Sequence, residues 1–318
     1  MKHPDVFGKK FILIIIAAVS IYSGFLIFSD INLVYDKLMS FDLRFLPLIL
    51  LTIFSSWMVL FVRWHIILKN SNIHIPFKNN LLIYLAGFTL SISPIKSGEL
   101  IKSILLKNQF NVKRTISAPL IITERFYDII GTITIALIGI TFLGFEYLPV
   151  LFVVLALSFL VIFILYSKSN FGHVLRLFNK IRFLKKISFS LENSQNIIRT
   201  SLNRKTVILS SSLTVIFRFV EAIGIYLVFL SLGINIINYF ELAAMYSMSI
   251  ILGSISMLPG GLGVTEGSFA GLITLHGLEF STALVIAIII RFFTLWYAVG
   301  IGFFALKLNG GLNINNTN

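Results

Sequence analysis

The part of the sequence that decides the fold is an uncharged apolar run at residues 11–28, FILIIIAAVSIYSGFLIF. An α-helix needs about 20 such residues to cross the roughly 30 Å hydrocarbon layer of a bilayer. Residues 148–166 form a second uncharged run of similar length. Of the 318 residues, 57% are hydrophobic and 12% are charged, whereas the surface of a soluble domain has to be polar. The sequence therefore predicts an all-α integral membrane protein.

Eight apolar segments are candidates for crossing or entering the membrane. They lie at about 11–28, 45–68, 81–93, 118–143, 148–166, 206–232, 240–258 and 283–306. The first follows Lys2, Lys9 and Lys10 and resembles a signal peptide. It is longer than the usual hydrophobic region of such a peptide and has no clear cleavage site, so we predict a retained span.

Basic residues set the predicted orientation. The connection at 167–205 carries nine Lys or Arg residues and one acid, Glu192, and the positive-inside rule places such a segment in the cytoplasm. We therefore expect a multi-pass protein of the inner membrane with both termini cytoplasmic. Orientation and anionic lipid headgroups at this loop explain the net charge of +13. Nucleic acid is not an expected partner, because base-stacking aromatics in a basic field are missing.

Two segments, 81–93 and 240–258, lead into helix-breaking residues. These are Pro94 and Gly98 after the first segment, and Pro259, Gly260, Gly261 and Gly263 after the second. A full crossing by 81–93 would also place the next basic residues outside, namely Lys102, Lys107, Lys113 and Arg114. Irregular backbone at membrane depth is tolerated only where protein or a wet cavity covers it. We therefore predict two re-entrant hairpins beside about six full transmembrane helices.

The hairpins give the chain a repeated order of span, hairpin and span. The first repeat covers 45–143 and the second 206–306, with 148–166 as a linking span and 167–205 as a basic cytoplasmic loop. One repeat starts outside and the other inside, which is the inverted topology of many transporters. We expect one membrane domain over residues 1–318.

The two hairpins also differ in their predicted chemistry. Pro94 and Gly98 break a helix and expose backbone N–H groups, so the half-helix that follows suits an anion. In the second hairpin, Gly263, Gly267 and Gly271 fall at every fourth position. This spacing predicts a face for tight helix contact.

Ten charged residues are predicted to lie inside the spans and hairpins. They are Arg63, Lys96, Glu99, Glu124, Arg125, Asp128, Arg218, Glu221, Glu266 and Arg291. Each would cost about 2.5–3.5 kcal/mol at the centre of a membrane helix, so they must face one another or water. Pairs such as Arg218 and Glu221 share a helix face. We predict that all except Arg63 belong to a substrate-binding site.

Two interpretations of these charges stay open from the residues alone. They are either structural ion pairs that lock a bundle together, or a site in which arginines bind phosphate through two hydrogen bonds each. Arg291 is the better candidate for phosphate, because no acid lies on its own helix. Arg63 is near the cytoplasmic end of its span and could instead extend to the interface.

The motifs resemble those of the lysylphosphatidylglycerol synthase transmembrane family, also called flippase-like domain proteins. They are Pro94-x3-Gly98-Glu99, Glu124-Arg125-x2-Asp128, Pro259-Gly260-Gly261-x-Gly263-x2-Glu266 and Arg291. The resemblance covers roughly residues 10–307 and implies the handling of lipid headgroups. Bifunctional relatives carry a soluble aminoacyl-transferase domain after this region, which we expect to be lacking here because eleven residues follow Lys307. Lys96 departs from the arginine expected in many relatives and lacks its bidentate fork.

The functional expectation is a flippase-like transporter for a phospholipid or polyprenyl-linked headgroup. No cofactor or metal is expected, because the five His residues have no metal-ligand spacing. One alternative is an intramembrane lipid-modifying transferase with Glu99 or Glu266 as general base, although no nucleophile set accompanies them. Another is a non-catalytic membrane partner of a lipid synthase or glycosyltransferase.

Overall fold

A computed structural model describes residues 31–93, 99–139, 141–142, 204–256 and 258–311, with isolated positions between 149 and 156. Several predictions lie outside the described residues. They concern the span 11–28, most of the span 148–166, nearly all of the loop 167–205, and Pro94, Lys96 and Gly98. The described residues form helices, turns and short connections, and none of them is in a β-strand.

Ten α-helices are described. In chain order they are α1 (Ile31–Met39), α2 (Leu46–Asn70), α3 (Phe77–Ala86), α4 (Ile101–Phe110), α5 (Arg114–Gly139), α6 (Arg204–Ser231), α7 (Tyr239–Ile255), α8 (Val264–Thr274), α9 (Phe280–Arg291) and α10 (Tyr297–Leu308). A π-helical turn at Phe292–Trp296 joins α9 to α10.

Three helical segments are long and apolar enough to cross a membrane, at 43–70, 205–231 and 280–308. They coincide with predicted spans and confirm the prediction of an integral membrane protein with apolar helices. α5 is also long, at 26 residues, which is about 39 Å at a rise of 1.5 Å per residue. Its charged residues Glu124, Arg125 and Asp128 make it more polar than the other three.

One end of the helix bundle is basic. Asn70 at the end of α2 donates a hydrogen bond to Thr206 near the start of α6, and Gln109 near the end of α4 donates to the carbonyl of Asn309 after α10. Charged residues described at this basic end are all cations, namely Lys69, Lys78, Lys107, Lys113, Arg114, Lys205 and Lys307. At the opposite end of the bundle, the N–H of Asp42 donates to the carbonyl of Ser231. The charged residues described at this end include acids such as Asp42, Glu241 and Glu279.

Two pairs of short helices enter the bundle from opposite ends. α3 and α4 have ten residues each, about 15 Å per helix, and their outer ends lie at the basic end. α7 and α8 have their outer ends at the opposite end, and a 3₁₀ turn at Pro259–Gly261 separates them. Gly260, Gly261 and Gly263 have φ angles of 61°, 67° and 85°, which glycine adopts without steric cost. The predicted interruption is therefore present there.

The two halves of the chain pack crosswise. α2 lies against α6, α3 lies against α10, and α7 lies against α5. Trp57 on α2 contacts the rings of Phe88 and Tyr297 at centroid distances of 5.3 and 5.0 Å. The inner turns of the two short-helix pairs also meet, since a Cβ on Gly260 would lie 3.4 Å from the Cα of Ile92.

Among the described residues, no close helix contact occurs at Gly267 or Gly271, two of the three glycines for which spacing predicted one. No described atom lies within 4 Å of a Cβ added at Gly267 or Gly271, so that prediction is wrong for the residues that the structure describes. α8 instead packs through larger buried side chains such as Phe269 and Ile273. A close approach occurs at Gly302 on α10, where an added Cβ would overlap the backbone nitrogen of Thr89.

We expect Gly302→Ala to destabilise the protein, because the added methyl group would push α10 away from the backbone beside α3. Overpacking of this kind costs about 1–3 kcal/mol. Gly267→Ala is the matched control, since no described atom lies within 4 Å of the added methyl group and alanine favours a helix by about 0.5–1 kcal/mol over glycine. Thermal unfolding in detergent measures both variants. A Gly302→Ala protein as stable as the control would show that the two segments separate easily.

Candidate functional site

Six buried or partly buried charged side chains meet between α2, α4 and α5. They are Arg63, Glu99, Lys102, Glu124, Arg125 and Asp128. Arg63 comes from α2 and Lys102 from α4, and Glu99 lies just before α4. The other three lie on one face of α5, as their spacing predicts. Three cations and three acids give the group a formal charge of zero.

Arg63 and Lys102 both contact Glu124. Arg63 Nη2 lies 3.6 Å from Glu124 Oε1, and Lys102 Nζ donates to Glu124 Oε2. Arg63 also reaches Asp128, with 2.6 Å between Nη1 and Oδ1, and Thr214 of α6 at the same distance. Arg63 is buried and paired, so its extension to the interface is excluded.

Arg125 completes the arrangement. Its Nη2 lies 2.7 Å from Glu99 Oε2 and its Nη1 lies 2.8 Å from Asp128 Oδ2. Lys102 Nζ is 3.4 Å from Glu99 Oε2. Each acid thus contacts two cations and each cation contacts two acids, so the six side chains form a closed ring of alternating charge, which we call the charge ring.

The charge ring is accessible on one side. The side chains of Arg63 and Glu124 are each 1% exposed, whereas those of Arg125 and Asp128 are 28% and 17% exposed. Buried ion pairs persist only with good geometry and few unmet hydrogen bonds. Because Arg125 has the most exposed side chain of the six, it is the ring member that a substrate group can reach most easily.

Lys102 was not predicted to belong to the site, because it was counted with Lys107, Lys113 and Arg114 in the basic stretch that sets the orientation of the hairpin. Its side chain is 2% exposed, and its Nζ lies 4.3 Å from the ring centroid of Trp64 and 5.4 Å from that of Tyr84. Ring faces attract a desolvated ammonium group. The available signal was its position three residues after Glu99, on the same face of a helix.

A second buried ion pair holds the turn between α7 and α8. Arg291 Nε lies 2.9 Å from Glu266 Oε1, and Arg291 also donates to the carbonyl of Gly260. Glu266 Oε2 accepts from the N–H of Gly263 at 2.7 Å. These contacts satisfy backbone groups that the broken helix leaves open. Arg291 therefore has a local structural use, and its predicted contact with phosphate stays a prediction.

A third buried ion pair lies on α6, beside the charge ring. Arg218 Nη1 lies 2.6 Å from Glu221 Oε2, and Arg218 Nε donates to Thr132 Oγ1 at 3.1 Å. Thr132 in turn donates to the carbonyl of Asp128. Hydrogen bonds thus link Arg218 on α6 to the charge ring through Thr132 and Asp128. Tyr246 on α7 donates a hydrogen bond to Thr294 Oγ1, three residues after Arg291, at 3.1 Å.

Eight of the nine predicted substrate-binding residues are described, and each belongs to one of these three groups. Lys96 lies outside the described residues. Their predicted binding of substrate stays a prediction. Within the described part of the chain, no group of three His, Cys, Asp or Glu residues is placed to hold a metal ion.

We expect Lys102→Met to destabilise the protein strongly, because Glu99 and Glu124 would each lose a cation. Removal of one partner of a buried ion pair costs about 3–5 kcal/mol. Lys107→Met on the same helix is the control, since no ion pair is described for it. Adding Glu124→Gln should recover part of the loss, as measured by thermal unfolding in detergent. Equal midpoints for the Lys102 and Lys107 variants would contradict this account of the ring.

Comparison with known proteins places the chain in a family. Its sequence matches the family described as the lysylphosphatidylglycerol synthase TM region over residues 15–302. It is 24% identical to a UPF0104 membrane protein of Pyrococcus horikoshii, across 97% of this chain and 100% of that protein. It is 26% identical to a UPF0104 membrane protein of Methanocaldococcus jannaschii, across 71% of this chain and 92% of the relative.

The match extends over the helices that build all three groups of buried charges. The family resemblance noted from Glu99, the Glu124–Asp128 motif and the glycine-rich turn is confirmed. The chain therefore belongs to the lysylphosphatidylglycerol synthase transmembrane family.

Proposed function

We propose that this protein is a flippase-like transporter that moves a phospholipid or lipid-linked headgroup across the cytoplasmic membrane. The observation that carries the proposal is the charge ring, which keeps six ionisable groups inside an apolar helix bundle. Ionisable residues inside membrane segments typically mark the path of a substrate or ion. A headgroup is charged or zwitterionic and needs the same compensation inside the membrane as these side chains.

The architecture proposed for this function is an inverted repeat. One repeat comprises α2, the α3–α4 pair and α5, and the other comprises α6, the α7–α8 pair and α9–α10. The crosswise packing supports it, since each first helix packs against the other and each short-helix pair contacts the last helix of the opposite repeat. Both repeats also pair a glutamate at the start of the second short helix with an arginine on the next long helix. The two pairs are Glu99 with Arg125 and Glu266 with Arg291.

The proposed orientation follows from the charges at the helix ends. The basic end faces the cytoplasm under the positive-inside rule, and the described cations there are not balanced by acids. α3 and α4 then form a re-entrant hairpin from the cytoplasm, and α7 and α8 form one from the outside. Their inner turns meet at Ile92 and Gly260, which gives the two broken helices of a transporter a common site.

Arg125 is the proposed point of substrate contact. It is the most exposed member of the charge ring, and both ends of its guanidinium fork are paired with carboxylates. A phosphate offers the same pair of acceptor oxygens, so it can replace one carboxylate at Arg125. The released acid keeps a second cation, since Glu99 still contacts Lys102 and Asp128 still contacts Arg63. The exchange therefore leaves no ring member without a partner.

Arg125→Lys tests this role, because lysine keeps the charge and loses the bidentate fork. We expect lipid transport in proteoliposomes to fall about tenfold or more, which corresponds to about 1.4 kcal/mol. The assay follows fluorescent phosphatidylglycerol, phosphatidylethanolamine and a polyprenyl phosphate between leaflets. Arg44→Lys is the control, since the Arg44 side chain is 90% exposed and pairs only with Asp42 among described acids.

The control variant should transport lipid at the wild-type rate. A folded Arg125→Lys protein that does so as well would remove Arg125 from the mechanism. A wild-type protein that moves none of the three lipids would refute the transport proposal itself.

A further inference from the structure

A cleft at the basic end of the bundle has no role in the charge ring. It consists of two adjoining hollows between the outer ends of α3, α4 and α10, with volumes of about 630 and 510 Å³. Gln109 and Asn309 line both hollows. The two residues are themselves joined by the hydrogen bond from Gln109 Nε2 to the carbonyl of Asn309, at 3.1 Å.

The polar lining of this cleft is cationic and rich in amides. Lys78 lines the first hollow and Lys107 the second, and no acid lines either. The amide side chains come from Asn79, Asn108, Gln109, Asn111 and Asn309. Lysine and amide N–H groups are donors that an anionic oxygen accepts, and a charged partner makes such bonds stronger. The polar side therefore suits a phosphate group.

One donor in the cleft is buried without a protein partner. Asn309 Nδ2 has almost no exposed surface, and no described acceptor lies within hydrogen-bonding distance. An unmet buried donor costs about 1–3 kcal/mol, so a rotation of the Asn309 side chain that turned Nδ2 toward an acceptor in the cleft would recover that energy. Since Asn309 lies on the boundary between the hollows, an oxygen bound there is within the reach of groups from both.

The other side of the first hollow is apolar. Leu82, Phe110 and Leu308 line it, and Leu308 is among the large exposed hydrophobic residues of the chain. A free phosphate makes no use of such a surface, whereas the first methylene groups of a lipid do. The combination of a cationic amide side and an apolar side matches an amphiphile at the membrane interface.

We propose that this cleft binds the phosphate of a phospholipid at the basic end of the bundle, as an entry site distinct from the charge ring. The inference deepens the proposed function and rests on it for the fate of the bound lipid. Gln109 lies seven residues after Lys102 on α4, about 10 Å along the helix axis. Gln109, which lines both hollows, therefore lies about two helical turns from Lys102 of the charge ring.

Binding of phosphatidylglycerol by the purified full chain in neutral detergent tests the site without depending on transport. We expect Lys78→Gln combined with Lys107→Gln to weaken this binding about tenfold, because each lysine near anionic lipid contributes strongly to binding. The matched control is Lys69→Gln combined with Lys113→Gln, which removes the same charge from the same end outside the cleft. We expect the control to bind within about twofold of wild type. Native mass spectrometry with phosphatidylcholine as the reference lipid measures all three proteins.

Asn309→Asp is a second, nearly isosteric variant. It replaces the unpartnered donor with an acceptor and should abolish the preference for phosphatidylglycerol over phosphatidylcholine. Equal losses in both double-lysine variants, or no loss in either, would overturn the site, because general surface charge would then account for binding. Glycerol phosphate is the competitor that tests for a soluble ligand. If it displaced the lipid and bound with the same affinity as the lipid, the cleft would be assigned to a soluble phosphate instead.

The cleft and the transport proposal fail in different ways. If phosphatidylglycerol binding depends on Lys78 and Lys107 but the wild type moves no lipid, the binding site stands and the transport proposal falls. If the wild type transports lipid and the cleft variants bind and transport as well as it does, the cleft proposal falls.

Discussion

The structure depends on one constraint, which is that a charge removed from water needs an opposite charge beside it. The charge ring meets this constraint by giving each of its six members two partners of opposite sign. Because its members come from α2, α4, α5 and Glu99, two residues before α4, the ring also fixes how a short helix lies between two long ones. Apolar residues of similar volume would often stabilise a bundle equally well, so stability alone does not account for a ring of this kind.

The two short-helix pairs satisfy a related constraint on the backbone. Inside a membrane, every N–H and C=O group has to find a partner within the protein. At the turn between α7 and α8, Arg291 binds the carbonyl of Gly260 and Glu266 binds the N–H of Gly263. The corresponding pair in the first half, Glu99 and Arg125, belongs instead to the charge ring. The same two residue types thus stabilise a turn in one half and join a more exposed group in the other.

The sequence predicted well those features that depend on local composition. The long helices at 43–70, 205–231 and 280–308 follow from uninterrupted apolar runs, and the break at Pro259–Gly261 follows from glycines that accept positive φ. Features set by tertiary contacts were not accessible. Arg63 pairs with Asp128, which is 65 positions away, and Lys102 is buried because Trp64 and Glu124 approach it. The four-residue spacing of the glycines likewise could not predict that Gly267 and Gly271 lack a close neighbour among the described residues.

The difference between the two halves bears on the proposed transport. A headgroup crossing the bundle has to exchange partners stepwise, because one fully desolvated charge without a partner would cost several kcal/mol. The ring allows one exchange at Arg125 while each acid retains a cation. The next polar groups beyond the ring are Thr132 and Arg218, which are joined by a hydrogen bond. Arg291, tied to both Glu266 and a turn carbonyl, is less free to exchange, since its release would expose backbone groups as well as a carboxylate. Under the proposed function, substrate exchange therefore falls to the first half of the chain, and the second half supplies the fixed turn against which it occurs.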